Sequence, residues 1–202
     1  MYKISISGKS NTGKNTLAQI INEQMQKHLP NSSNWKYKIM AFADPIKEMV
    51  ELMFPNCNRD CLYGASELRN EIIPGAFKDG MALTYRRALI DIGTGLGRGY
   101  NDNIWLDNFD YRFNQVLKTS PNLILLSDLR YVNEYMFIKK KDFYQIRLYR
   151  NTENNPNPIA HVSETDLDRI PDSYFNCIIH NDQTIDHLVN EVVNKVIPNF
   201  IK

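Results

Sequence analysis

Cysteine is scarce, three residues in 202, and the odd count excludes a fully paired disulfide scaffold. The expected compartment is therefore a reducing one, the cytoplasm, or a host's cytoplasm if the source is viral. An excess of one charge sign is also missing, since 24 Lys plus Arg against 23 Asp plus Glu leaves a formal net charge of +1. That balance supplies no broad positive field, so no nucleic-acid polymer is expected as partner, and any polyanion must be met by a local site. No apolar run approaches the roughly 18 residues of a membrane span, and the opening MYKISISGKS has no apolar core of the secretory kind. No membrane partner is expected. Cys57 and Cys61 form C-x3-C without a second Cys/His pair at zinc spacing, which predicts free thiols.

What remains is a globular composition, 43% hydrophobic and 23% charged. At about 150 residues per domain, the length predicts a single domain over 1–202, with an insertion and helical region at 55–118 and a lid at 130–165. Alternation over Tyr2–Ser7 predicts a strand, and Leu17, Ile20, Ile21 and Met25 predict a helix from Lys14 to a stop at Pro30 and Asn31–Ser33. A second strand is expected over Tyr37–Phe42, followed by a helix capped by Asp44 with Pro45 in its first position, running to about Met53. Residues 55–84 read as a surface insertion without a core. Arg86–Leu96 and Ile104–Leu117 read as helices separated by a Gly-rich turn at Gly93, Gly95, Gly97 and Gly99. That run lacks G-x-G-x-x-G and follows no strand, which excludes a dinucleotide site. The unbroken apolar run Leu123–Leu126 predicts a strand buried on both faces. Then come a helix over Asn133–Lys141, a strand over Tyr144–Leu148, a polar loop over Asn151–Pro158, a strand over Phe175–Ile179 and a C-terminal helix from Ile185 through Val196. Strands alternating with helices predict an α/β doubly wound, mainly parallel sheet.

The sharpest motif is GKSNTGKNT, Gly8–Thr16, placed between the first strand and the first helix. Gly8 and Gly13 let backbone N–H groups turn inward around an anion, the helix N-terminus adds its dipole, and Lys14 can reach transferable phosphates. The Ser or Thr that usually follows the lysine is replaced by Asn15, with Thr16 next. Candidate cations for phosphate charge are Lys14, Arg87, Arg98 and Arg130, joined by Arg147 and Arg150 if the later loop folds over. Asp128 follows a buried strand and is placed to hold Mg²⁺ through water or to pair with Arg130. Asp44 is open between a sugar contact and a helix cap. Trp105 is open between stacking on a base and a place in the core.

Four ordered blocks, YRRALIDIGTGLGRGYNDNIWLDNF (Tyr85–Phe109), SDLRYVNE (Ser127–Glu134), HVSETDLD (His161–Asp168) and HNDQTIDHL, resemble together with the loop the bacteriophage-type deoxynucleoside monophosphate kinases over nearly the full chain. Asn15 and Asn11 depart from the Asp and the basic residue common there. The resemblance implies a P-loop kinase fold, with ATP and a deoxynucleoside monophosphate as partners and Mg²⁺ as cofactor; a homodimer stays open. It implies catalytic roles for Lys14, Arg130 and Asp128, and an ATP site at Asn11, Thr12, Gly13, Lys14, Asn15 and Thr16. The implied substrate site is Asp44, Lys47, Arg69, Arg87, Gly93, Thr94, Trp105, Asp128, Arg130 and Glu134. His161 stays outside the catalytic set. The alternatives are a kinase for another small phosphorylated metabolite, such as phosphomevalonate, and a non-catalytic nucleotide-binding module.

Overall fold

The computed structural model describes residues 1–29, 34–151 and 161–201. In chain order its strands and α-helices are β1 (Tyr2–Ser7), α1 (Lys14–His28), β2 (Tyr37–Met40), α2 (Asp44–Met53), α3 (Asp60–Tyr63), β3 (Ile72–Lys78), β4 (Met81–Thr84), α4 (Tyr85–Ile90), α5 (Ile104–Leu117), β5 (Leu123–Leu129), α6 (Val132–Lys140), β6 (Tyr144–Tyr149), β7 (Cys177–His180) and α7 (Ile185–Glu191). The polar loop beyond Asn151 and the stop at Pro30–Ser33 lie outside the described residues. The chain divides into two compact units, Met1–Ala41 with Phe113–Lys202, and Phe42–Arg112.

The first unit holds a five-stranded sheet in the order β2-β5-β1-β6-β7. Every neighbouring pair in it is parallel. The fold is α/β, a parallel sheet flanked by helices. Ile4 and Ile6 on one face of β1 pack with Leu17, Ile21 and Met25 of α1, with Leu125 and Ile146, and with Leu188 and Val192 near the C-terminus. Ser5 and Ser7, on the opposite face of β1, are buried as well. Covering on both faces explains why β5 opens on four consecutive apolar residues: as an interior strand it has no wet side. β5 runs to Leu129, past the expected end at Leu126. Its register slips by one residue, Ser5 facing Leu126 but Ser7 facing Leu129, so a bulge falls at Ser127–Asp128.

In the second unit, residues 55–84 are not coreless. Cys61 and Leu62 of α3, with Ile73 and Ala76 of the β3–β4 hairpin, join Ile46, Val50, Tyr85, Ala88, Ile92 and Trp105 in one buried cluster. Elements this short carry too few turns or alternations for periodicity to show. The Gly-rich run is also not a turn: Asp91–Arg98 continues from α4 as wide π-type helical turns. Two of its glycines serve close packing, because a Cβ at Gly97 would stand 2.2 Å from the Trp105 ring and one at Gly93 would stand 2.9 Å from Ile46 Cδ1. Asp44 is the first residue of α2 and Pro45 the second, with Ala43 in the capping position, so Asp44 favours the helix by charge in its first turn rather than as a cap.

Gly97→Ala is expected to destabilise the protein by about 1–3 kcal/mol through overpacking against a rigid indole. The measurement is the thermal midpoint, and an unchanged value would show that Trp105 can move aside.

Candidate active site

The connection after β1 heads for β2 on one side of the sheet, and that after β6 heads for β7 on the other. The β1 and β6 carboxyl ends therefore border a crevice, the place where open α/β sheets receive ligands. Residues Gly8–Gly13 turn there. A Cβ on Gly8 would stand 2.6 Å from the Leu148 carbonyl oxygen of β6 and 2.8 Å from Thr12 Oγ1, so no larger residue fits. Asn11 and Gly13 adopt left-handed backbone, φ 61° and 94°. Thr12 Oγ1 donates to Lys9 O at 3.0 Å, and Asn181 Nδ2, just past β7, donates to Thr12 O at 2.9 Å. Gly13 then caps α1 with its backbone.

Lys14 folds back over this loop, its Nζ donating to Gly8 O at 2.8 Å and Lys9 O at 2.5 Å. An ammonium, a helix N-terminus and a glycine-bordered loop thus converge, the arrangement of a phosphate cradle. Asn11 and Asn15 are exposed, Thr16 is half-buried and Thr12 is buried.

Arg130 follows β5, and its guanidinium Nη1 is paired with Glu164 Oε1. Glu164 Oε2 accepts the Ser10 N–H of the loop at 2.7 Å. Burial pushes the Glu164 carboxyl up, but Arg130, the Ser10 N–H and Lys14 together hold it below the ordinary carboxylate range. His161 is held below its ordinary value by burial and by Arg130. Lys9 approaches Asp168 at 3.4 Å. Gly8, Lys9 and Thr12 of the loop, with Arg130, Arg147 and Glu164, line a cleft of about 60 Å³. A larger cavity of about 710 Å³ lies at the amino ends of the strands, beside Lys3, Tyr144 and Phe200, and contains none of the loop residues. The donor chemistry, not cavity size, marks the site.

Several expected contacts take other roles. Glu134 is buried, and its Oε2 accepts the backbone N–H groups of Arg130 (2.8 Å) and Tyr131 (3.1 Å), so it caps α6 rather than presenting itself to a ligand. Arg147 is 7% exposed. Its guanidinium donates to Ile170 O and Asp172 Oδ1, both at 2.8 Å, and to Leu167 O, and it stacks 4.3 Å from the Phe175 ring centre. It is a fastener of the 167–172 segment. Arg150 is exposed. Asp128 occupies the β5 bulge.

In the second unit, Asp44 pairs with Lys47 at 3.2 Å, and Lys47 Nζ lies 5.1 Å from the Tyr63 ring centre. Arg87 Nε donates to Asp91, which also takes Lys78 at 2.7 Å. Arg98 Nη1 donates to Asp102 O at 2.9 Å. Arg69 and Thr94 are half-buried. Trp105 takes the core alternative: it is 5% exposed and its Nε1–H donates to Gly93 O at 2.7 Å, so its faces are committed to packing rather than to a base. Sequence reasoning missed Ser10, Glu164 and Asn181. Each lies inside a quoted block, Ser10 in GKSNTGKNT, Glu164 in HVSETDLD and Asn181 in HNDQTIDHL, but no local signal singles it out, since its partner is distant in sequence or a backbone group.

No family model matches the chain. It is 24% identical over 205 residues to a protein of Acanthamoeba polyphaga mimivirus described as "Putative deoxynucleotide monophosphate kinase", an alignment that covers 97% of this chain and 96% of that protein. Among the described residues, no helix is long and apolar enough to cross a membrane.

Because the folded Glu164 carboxyl titrates below its ordinary value of 4.5, its stabilising contribution is complete above that pH and is lost as pH falls through the lowered value. Thermal midpoints measured from pH 6 down to about pH 3 should therefore fall more steeply for the wild type than for Glu164→Gln; parallel curves would show that this carboxylate contributes nothing.

Proposed function

We propose that the protein is an ATP-dependent kinase that phosphorylates a deoxynucleoside 5′-monophosphate to the diphosphate. The observation that carries this reading is the Gly8–Lys14 loop, closed against β6 where only glycine fits, with Lys14 over it and Arg130 held nearby. The name of the mimiviral relative and the full-length alignment with it support the choice of acceptor.

The chemistry asks little of the protein beyond placement and charge. A nucleotide's phosphate is already an oxyanion near neutral pH, so its oxygen attacks the γ-phosphorus without a general base; a new P–O bond forms as the bond to the β-phosphate oxygen breaks, and ADP leaves. Loop N–H groups and the α1 N-terminus bind the donor phosphates, Lys14 neutralises charge on the transferring group, and the Arg130 fork adds to it. Mg²⁺ entering with ATP would offset negative charge between the phosphates.

Such an ion is held mainly by phosphate oxygens and water, so a protein contribution from Asp128 through water fits the residues present. Among the described residues there is no cluster of three or more His, Cys, Asp or Glu able to hold a metal. Of the acceptor residues named by the resemblance, Asp128, Arg130 and Glu134 belong to the first unit, and Asp44, Lys47, Arg69, Arg87, Gly93, Thr94 and Trp105 to the second. Within this proposal those of the second unit other than Trp105 recognise the monophosphate, while Trp105 acts by supporting their fold.

A coupled assay of ADP release across the common deoxynucleoside and ribonucleoside monophosphates, with ATP and Mg²⁺, is expected to show turnover with at least one deoxynucleotide. Lys14→Ala should lower kcat by about 10²–10³-fold or more, as loss of a preorganised charge at the transition state does, without lowering the thermal midpoint. Turnover near wild type in that folded variant would reject the loop assignment, and phosphomevalonate as the sole acceptor would redirect it.

Asp128→Asn should raise the Mg²⁺ concentration that gives half-maximal rate. An unchanged metal dependence would assign Asp128 to structure.

A further inference from the structure

Arg130 is held at both ends. Its backbone N–H is fixed by Glu134 at 2.8 Å, and its guanidinium by Glu164. Glu164 in turn is braced by its own segment. In the short 3-10 turn Val162–Glu164, the Ser163 N–H donates to His161 Nδ1 at 3.3 Å. Two residues past Glu164, Asp166 Oδ2 accepts the Val132 N–H at 2.9 Å, two residues past Arg130. Lys9 and Asp168 add a contact between the same segment and the loop. The side chains of the central pair are mostly buried, 25% exposed for Arg130 and 14% for Glu164.

We propose that Glu164 is a positioning residue of the phosphate site: one carboxylate oxygen fixes the Ser10 N–H of the loop while the other fixes Arg130, holding the arginine fork at the loop before a nucleotide arrives. This rests on the kinase reading. A guanidinium carries five N–H donors in a rigid plane, so one charge-assisted bond sets the direction of the others and removes the rotamer search a free arginine would undergo on binding phosphate. The Ser10 N–H is consumed by Glu164 in this arrangement, and phosphate is met by the donors further along the loop and by the remaining face of Arg130. The role is indirect, and Glu164 touches neither nucleotide nor transferring group.

The test is a double-mutant cycle in the full chain with Glu164→Ala, Arg130→Ala and the pair, reading ATP Kd by calorimetry, kcat and KM by the coupled assay, and the thermal midpoint. Glu164→Ala is expected to lower kcat about tenfold and to weaken ATP binding, and in the Arg130→Ala background the same change should cost only about threefold or less, because the hold on the Ser10 N–H is then all that is left to lose. Glu164→Gln should recover part of the loss, since its amide oxygen still accepts the Ser10 N–H. Multiplicative losses would overturn the proposal. So would tighter ATP binding in Glu164→Ala, which would make the carboxylate a competitor of phosphate, and so would a fall in midpoint with Kd and kcat unchanged. A wild-type protein that binds ATP but phosphorylates no nucleotide would remove the kinase reading alone, with the Kd cycle still deciding the role of Glu164; one that binds no ATP would overturn both.

Discussion

The approach of the Gly8 backbone to the Leu148 carbonyl is the constraint on which the site depends. At that distance a single methyl group would force the loop off β6. The loop lies tight because the parallel order places β1 beside β6, and α1 begins where it does because Gly13 can take left-handed backbone directly after Thr12. Lys14, the first residue of α1, is then aimed back over the loop by geometry it does not itself supply. Asn181 tightens the same loop from beyond β7, so the strands on one side of the sheet participate in shaping it.

With a net charge near zero, the protein has no general field to attract a polyanion, and the positive potential must be assembled locally. Local assembly has a cost: Lys14 and Arg130 both act on Glu164, so like charges are gathered around one point and partly withdrawn from water. Glu164 answers both problems by placing a carboxylate near the two cations, and the depression of its own titration records the favourable interaction. The loop carbonyls that accept from Lys14 do similar work.

Legibility in the sequence followed length and periodicity. β1, α1, β5 and α5 could be read because alternation, a long amphipathic repeat, or an unbroken apolar run specifies each by itself. The hairpin and α3 could not, since Cys61, Leu62, Ile73 and Ala76 become a core only through contacts distant in sequence. Gly93 and Gly97 misled for a physical reason: glycine permits turns, but it also permits a neighbouring side chain to press against a helix, and composition does not separate the two uses. The loop carried its own signature because Gly8 and Gly13 are demanded twice over, by positive φ in the loop's own backbone and by the close approach of Leu148 and Asn181, and the first demand writes itself into local spacing.

The arginines show where that legibility stops. Arg130 and Arg147 lie at or near the ends of β5 and β6, and sequence alone gives each a claim on phosphate. Arg147 is saturated, with two backbone carbonyls, a carboxylate and an aromatic face around a nearly inaccessible guanidinium. Turning it toward a ligand would leave those carbonyls unpaired in the interior, a cost of about 1–3 kcal/mol for each buried group. Arg130 is fixed by a carboxylate that also grips the Gly8–Gly13 loop. The difference between a fastener and an arginine open to the proposed phosphate role therefore lies in what else surrounds the fork, and those surroundings are contributed by residues 164–175, which become neighbours only once the sheet has formed.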